Sequence, residues 1–213
     1  MPTSTRAVFI EAAEGGLTLV GRPEVAAAWD EPSALAQMSV GALAAHLARQ
    51  VTRVPEVLTF PPLDERPVPL VEHYQRSVWV AAGVDDEPNV AIRQRADDDA
   101  APGRDEVLRR ARAALDATRA TLPDLELDHV VRPPWTSWNL TLEDYLRTRV
   151  MELVVHSDDL AVSVGIDPPA WPEEVVAPVL GLLTTLAVKR HGVPAVLRTL
   201  SRAERAPGNV SAF

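Results

Sequence analysis

The stretch from Leu142 to Val164 limits the folds open to this chain more than any other segment. It contains neither proline nor glycine. Thr141, a residue type that caps helix N-termini, opens it, and Gly165, suited to the position just past a helix, closes it. The spacing predicts one long helix. On a wheel of about 100° per residue, Tyr145, Arg149, Glu152, His156, Asp159 and Ser163 fall within a sector of roughly 80°. Leu146, Val150, Leu153, Val154, Val155 and Leu160 fill most of the rest. A surface helix divides into apolar and polar faces of similar width. Here a narrow polar stripe has apolar side chains on both sides.

Two arrangements satisfy that pattern. In the first the stripe is solvated, and Arg149–Glu152 and Glu152–His156 are surface pairs at i,i+3 and i,i+4, worth a few tenths of a kcal/mol. In the second the stripe turns inward, where unpaired charges are very costly and a divalent cation removes the cost. Glu152 and His156, one turn apart on one face, then become metal ligands, with Arg149, Tyr145 and Asp159 beside them. His46, in the apolar run Leu43-Ala-Ala-His46-Leu-Ala, is the third candidate. Two ligands on one helix, one on another and a fourth position open is how a bundle builds a catalytic zinc site. Taken alone, His46 also reads as a core histidine with one satisfied hydrogen bond. His73, His129 and His191 have no partner at ligand spacing.

At 213 residues the chain fits one domain with a terminal extension. Few aromatic residues and abundant Ala, Leu and Arg favour helices over strands. The net charge of −9 argues against nucleic acid as a partner. No apolar run reaches the ~18–20 residues needed to cross a bilayer, and the run Met1-Pro-Thr-Ser-Thr-Arg-Ala-Val-Phe-Ile has no long apolar h-region or secretory-type cleavage site. The expectation is a soluble, cytoplasmic protein, monomeric or homodimeric. Cysteine is absent, so any sulfur chemistry must use a borrowed thiol.

The periodicity predicts helices over 5–28, 39–54, 105–122, 141–165, 173–191 and 194–205, with shorter ones over 71–82 and 88–98. Gly15-Gly16 weakens the first, and Pro55 should stop the second. Five prolines between 55 and 70 exclude a regular element there. Residues 128–140, with Trp135, Trp138 and Asn139, read as extended and loop-like. No strand series is expected. The expected architecture is all-α, a four-helix bundle of antiparallel helices (1–165) with a C-terminal helical extension (166–213).

Two runs carry a family resemblance. Met38-Ser-Val-Gly-Ala-Leu-Ala-Ala-His46-Leu-Ala resembles the first metal-ligand motif of the mycothiol-dependent maleylpyruvate isomerase-like proteins, of the DinB-like superfamily. Arg149-Val-Met-Glu152-Leu-Val-Val-His156-Ser-Asp-Asp159-Leu-Ala resembles the second. The resemblance spans most of 5–165. It implies a DinB-like bundle holding one zinc or similar divalent ion on His46, Glu152 and His156. Water or the thiolate of mycothiol, a small thiol of actinobacteria, would take the open position. Addition of that thiolate to an activated alkene, rotation and elimination give cis–trans isomerisation; stopping after addition or displacement gives an S-transferase. We expect Arg149 to orient Glu152 or pair with Asp159, Asp159 to receive the second N–H of His156 or to act indirectly, Tyr145 and Trp138 to contact the thiol cofactor, and Trp135, Trp138 and Asn139 to line the site mouth or only pack their loop onto the bundle. A non-enzymatic metal-binding module is the alternative, and it would need a fourth protein ligand such as His73 or His129. The family's isomerase has a further α/β C-terminal domain that contributes a catalytic arginine. Residues 166–213 instead read as two helices and a tail, and none of Arg198, Arg202 or Arg205 maps onto that arginine.

Overall fold

The computed structural model describes residues 4–213, so the first three residues of the expected bundle segment lie outside the description. Four long helices form the bundle: α1 (Thr5–Val20), α3 (Val40–Val57), α7 (Arg104–Thr121) and α8 (Leu142–Val164). The shorter α2 (Pro23–Ala27), α4 (Leu70–Arg76), α5 (Val78–Ala81) and α6 (Glu87–Ala100) connect them. Two helices, α9 (Glu173–His191) and α10 (Val193–Ser201), follow. The expected caps are in place. Ser39 Oγ accepts from Ala42 N at 3.0 Å, and Thr141 Oγ1 accepts from Asp144 N at 3.1 Å. Gly165 is left-handed at φ 69°, and the Ile166 N–H closes onto Ala161 O, a Schellman end.

The bundle is not uniformly antiparallel. Arg6 at the start of α1 pairs with Glu143 at the start of α8, and Gly16 lies against Leu153 and Ser157 further along, so α1 and α8 run parallel. Against them, α3 and α7 run the other way: Gln50 meets Arg149 and His46 meets Glu152, while Arg119 pairs with Glu14. The long connections through α2 and α4–α6 make this order possible. Arg6 also donates to the carbonyls of Leu122, Leu125 and Glu126, fixing the end of α7 beside the starts of α1 and α8.

Four boundaries depart from expectation; the helix expected over 194–205 ends at Ser201, where Arg202 leaves helical backbone at φ −149°, and only a 3-10 turn over Ala203–Arg205 follows. The helix over 5–28 breaks at Gly21-Arg22, because the ring of Pro23 keeps Arg22 extended (ψ 142°) while itself starting α2. Pro55 sits inside the last turn of α3, which continues to Val57. Residues 71–82 split at Ser77, whose ψ is 111°. The segment 128–140 is extended, and its ends pair as a two-residue antiparallel ladder, β1 (Val130–Val131) with β2 (Leu140–Thr141). Asn139 is fully buried within it. Its side chain bonds Leu63 N, Leu63 O and Glu65 O, and its carbonyl accepts from Val68 N, so it ties down the proline-rich loop rather than facing a ligand.

The core joins Phe9, Leu17, Leu43, Leu47, Leu146, Leu153 and Leu160, all 3% exposed or less. Gly15 and Gly16 are contacts within it, not defects. A Cβ on Gly16 would lie 3.0 Å from Leu47 and 3.3 Å from Leu153, so its absence lets α1 approach α3 and α8 beside His46 and Glu152. A Cβ on Gly15 would lie 2.4 Å from Trp171, which anchors the segment leading into α9. Helix α9 then packs on α8, α1 and α4. Gly15→Ala therefore sets a gain in helix propensity of roughly 1 kcal/mol against expulsion of a tryptophan ring. We expect a net loss of about 1–3 kcal/mol, read by urea denaturation, with a red shift of tryptophan emission. Unchanged stability and emission would contradict this packing.

Candidate metal centre

The polar stripe of α8 faces inward. Leu146, Leu153 and Leu160 are fully buried and fix the rotation of the helix. Tyr145 and Arg149 are buried, and Glu152, His156 and Asp159 are only partly accessible. Where α8 crosses α3, His46, Glu152 and His156 converge, each side chain 15–18% exposed. His156 Nε2 lies 3.1 Å from Glu152 Oε2, and His46 Nε2 lies 3.9 Å from the same oxygen. The two imidazole rings meet edge to face at 4.8 Å, and one ligand atom from each residue lies within 4.8 Å of the others. The second ring nitrogen of His156, Nδ1, is 3.0 Å from Asp159 Oδ2.

Charge organises the group. Burial alone would raise the Glu152 carboxyl, but the hydrogen bond from His156, with the His46 ring and the Arg149 charge nearby, holds it well below the usual range. Burial opposes a charged His156 as well, yet Asp159 and Glu152 together outweigh it and raise this histidine to about 9. For His46 burial wins, and its protonation is depressed. Without a metal the cluster is thus a carboxylate pair bridged by an imidazolium, with a neutral imidazole alongside.

A family model described as the mycothiol maleylpyruvate isomerase N-terminal domain matches residues 10–161. The chain belongs to this family. The match takes in His46, Arg149, Glu152, His156 and Asp159 and stops inside α8. No curated protein and no solved structure matches the chain. The fold is accordingly the helical DinB-like one, in a mycothiol-related family.

The other residues expected at a site take the following places around the triad. Asp159 bonds His156 as anticipated. Arg149 does not pair with Glu152 or Asp159; it reaches across to Gln50 Oε1 on α3 and donates from Nε to Thr148 Oγ1 at 3.0 Å. It still lies close enough for its charge to help keep Glu152 ionised. Tyr145 is 1% exposed, donates its hydroxyl to Arg53 O at 3.2 Å, and has the Arg149 guanidinium 5.2 Å above its ring. Trp138 donates from Nε1 to His73 Nδ1 at 3.1 Å. Trp135 is 45% exposed under the Arg53 guanidinium, 3.9 Å from its ring centre.

Sequence reasoning missed Arg49, Gln50, Arg53, His73 and Tyr74. The first three had a signal, since i+3, i+4 and i+7 from His46 share its face. Arg49 is neutralised by Asp99, but Arg53 has no acidic partner among the described residues, and burial with the neighbouring Arg149 lowers it to about 10. Among these residues the metal-ligand grouping contains only the triad, with neither His73 nor His129 as a fourth member. Two surface clefts, of about 620 and 450 Å³, lie elsewhere, one beside Gly165–Pro169 and one between α4, α8 and α9. No helix among the described residues is long and apolar enough to cross a membrane.

The proton on His156 predicts a pH dependence. Its folded value of about 9 exceeds the unfolded value of about 6.5. The stabilisation is therefore complete below pH 6.5 and is lost as pH rises to 9. His46 and His73, both depressed, act below that window. Metal-free protein should lose stability to urea between pH 6.5 and 9, and His156→Ala should flatten the slope. An equal slope in the variant would contradict the assignment.

Proposed function

We propose that this chain is a metal-dependent enzyme that activates a low-molecular-weight thiol, mycothiol, for addition to a small electrophile, acting as a cis–trans isomerase or a thiol S-transferase. The observation that carries the proposal is the convergence of exactly the donor types N, O and N of His46, Glu152 and His156 on one half-buried point. Ligands about 2.0–2.2 Å from a tetrahedral zinc stand roughly 3.3 Å apart, and the separations of 3.1 and 3.9 Å about Glu152 Oε2 fit that requirement. The metal ligands we assign are His46, Glu152 and His156. A Zn²⁺ ion held there would supply a Lewis acid that lowers the pKa of a thiol or water.

The chain's own groups do the rest. Asp159 holds the His156 ring by its Nδ1–H, leaving Nε2 for the ion. Arg149, backed by Tyr145, keeps positive potential over the site and helps hold Glu152 ionised. Arg149 and Arg53, neither with a carboxylate partner among the described residues, favour an electrophile carrying negative charge or a polarised carbonyl. We assign Trp138, bonded to His73, and the half-exposed Trp135, under the Arg53 guanidinium, to the mouth by which thiol and electrophile would enter. The chain has no cysteine, so no thiolate of its own competes. Three protein ligands with a fourth position open favour catalysis over a structural metal, which normally takes four.

We assign the site to residues 1–165 and treat 166–213 as an extension packed on it, in a cytoplasmic protein. Metal analysis should find about one zinc per chain, lost in His46→Ala and in His156→Ala with helicity retained; unaltered stoichiometry in both variants would refute the site. Arg149→Lys should reduce thiol-transfer activity more than it reduces stability, because the ammonium keeps the charge but not the two-armed contact to Gln50 and Thr148. Equal losses would mark Arg149 as purely structural.

A further inference from the structure

We propose that His73 and Tyr74 form a pair of preset hydrogen-bond donors beside the metal ligands, holding a carbonyl or carboxylate oxygen of the electrophile. The proposal rests on the metal reading for the place where that ligand binds, but not for the state of the donors themselves.

An indole N–H can only donate. With Trp138 Nε1 at 3.1 Å, His73 Nδ1 must present its lone pair, and the single proton of the ring is forced onto Nε2. The ring is 7% exposed. Burial, with the Arg149 charge adding to it, lowers its protonation to about 4, so at neutral pH it is an uncharged N–H donor in one tautomer. Nε2 makes no hydrogen bond to another of the described residues, so the bond to Trp138 is the ring's one side-chain tie.

Tyr74, the next residue, is 2% exposed, and its hydroxyl is buried without a partner. Buried tyrosine hydroxyls usually find one. A phenylalanine would fill the same place against Trp79 and Phe213, whose rings lie 6.3 and 5.7 Å from that of Tyr74. Burial raises its pKa, so the proton stays on. Helix α4 packs on α8, and the charged groups acting on both residues are Glu152 and Arg149. Two donors on adjacent residues, whose rings meet edge to face at 5.2 Å, are therefore unspent on the helix that packs against α8, and an oxygen acceptor is the ligand group that would satisfy both.

The test is calorimetric titration of zinc-loaded protein with acetohydroxamate, whose oxygens bind metals and accept hydrogen bonds, beside Tyr74→Phe and His73→Gln. Affinity should fall about three- to tenfold in Tyr74→Phe, with melting temperature unchanged or raised, since an unsatisfied hydroxyl has been removed. His73→Gln should weaken binding similarly with zinc retained. Unchanged affinity in Tyr74→Phe at full zinc content overturns the pair, as does a lowered melting temperature with binding intact. Long-range ¹H–¹⁵N spectra of the metal-free protein supply a second readout. His73 should appear as the neutral Nε2–H form from pH 5.5 to 8, and Nδ1–H or a titration in that range overturns the proposal. Zinc missing from the wild type would refute the metal reading alone, and the tautomer would then decide the donor pair.

Discussion

One carboxylate governs this structure. Glu152 lies inside a helical bundle, ionised, with an imidazole on either side. A charge in that position needs a compensating cation. A proton on His156 meets the need in the metal-free protein, and a divalent ion in the same place would meet it better. On the reading proposed above, the two cations would compete for the same lone pair.

The packing of the bundle holds that point in place. Leucines on either side of the α8 stripe set its rotation, Gly16 lets α1 close against the crossing of α3 and α8, and Trp171 locks the following segment onto Gly15. Of the polar groups near α3 and α8, Arg49 is cancelled by Asp99, whereas Arg149 meets neutral Gln50, Arg53 lies over an aromatic face, and the Tyr74 hydroxyl meets no partner.

Much of the fold was legible because it rests on local rules. Ser39, Thr141 and Gly165 bound their helices as their side chains and backbone freedom dictate. The break at Pro23 obeys an equally local rule, and the helical periodicity of the flanking residues masked it. The wheel of α8 revealed a polar stripe but not its direction, because inward and outward stripes have the same period; tertiary packing of the flanking leucines decides it. Spacing likewise suggested Glu152 as a partner for Arg149, whereas the long guanidinium reaches another helix. His73 carried no local signal at all. Its meaning comes from Trp138, 65 residues away, and from the fold that brings α4 against α8.

The central claim is that a metal ion takes the place of the His156 proton. Calorimetric titration of metal-free protein with zinc at about pH 7.5, repeated in buffers of different ionisation enthalpy, counts the protons released on binding. The account predicts one zinc per chain with about one proton expelled. Saturable binding without proton release, or no binding at all, would contradict it.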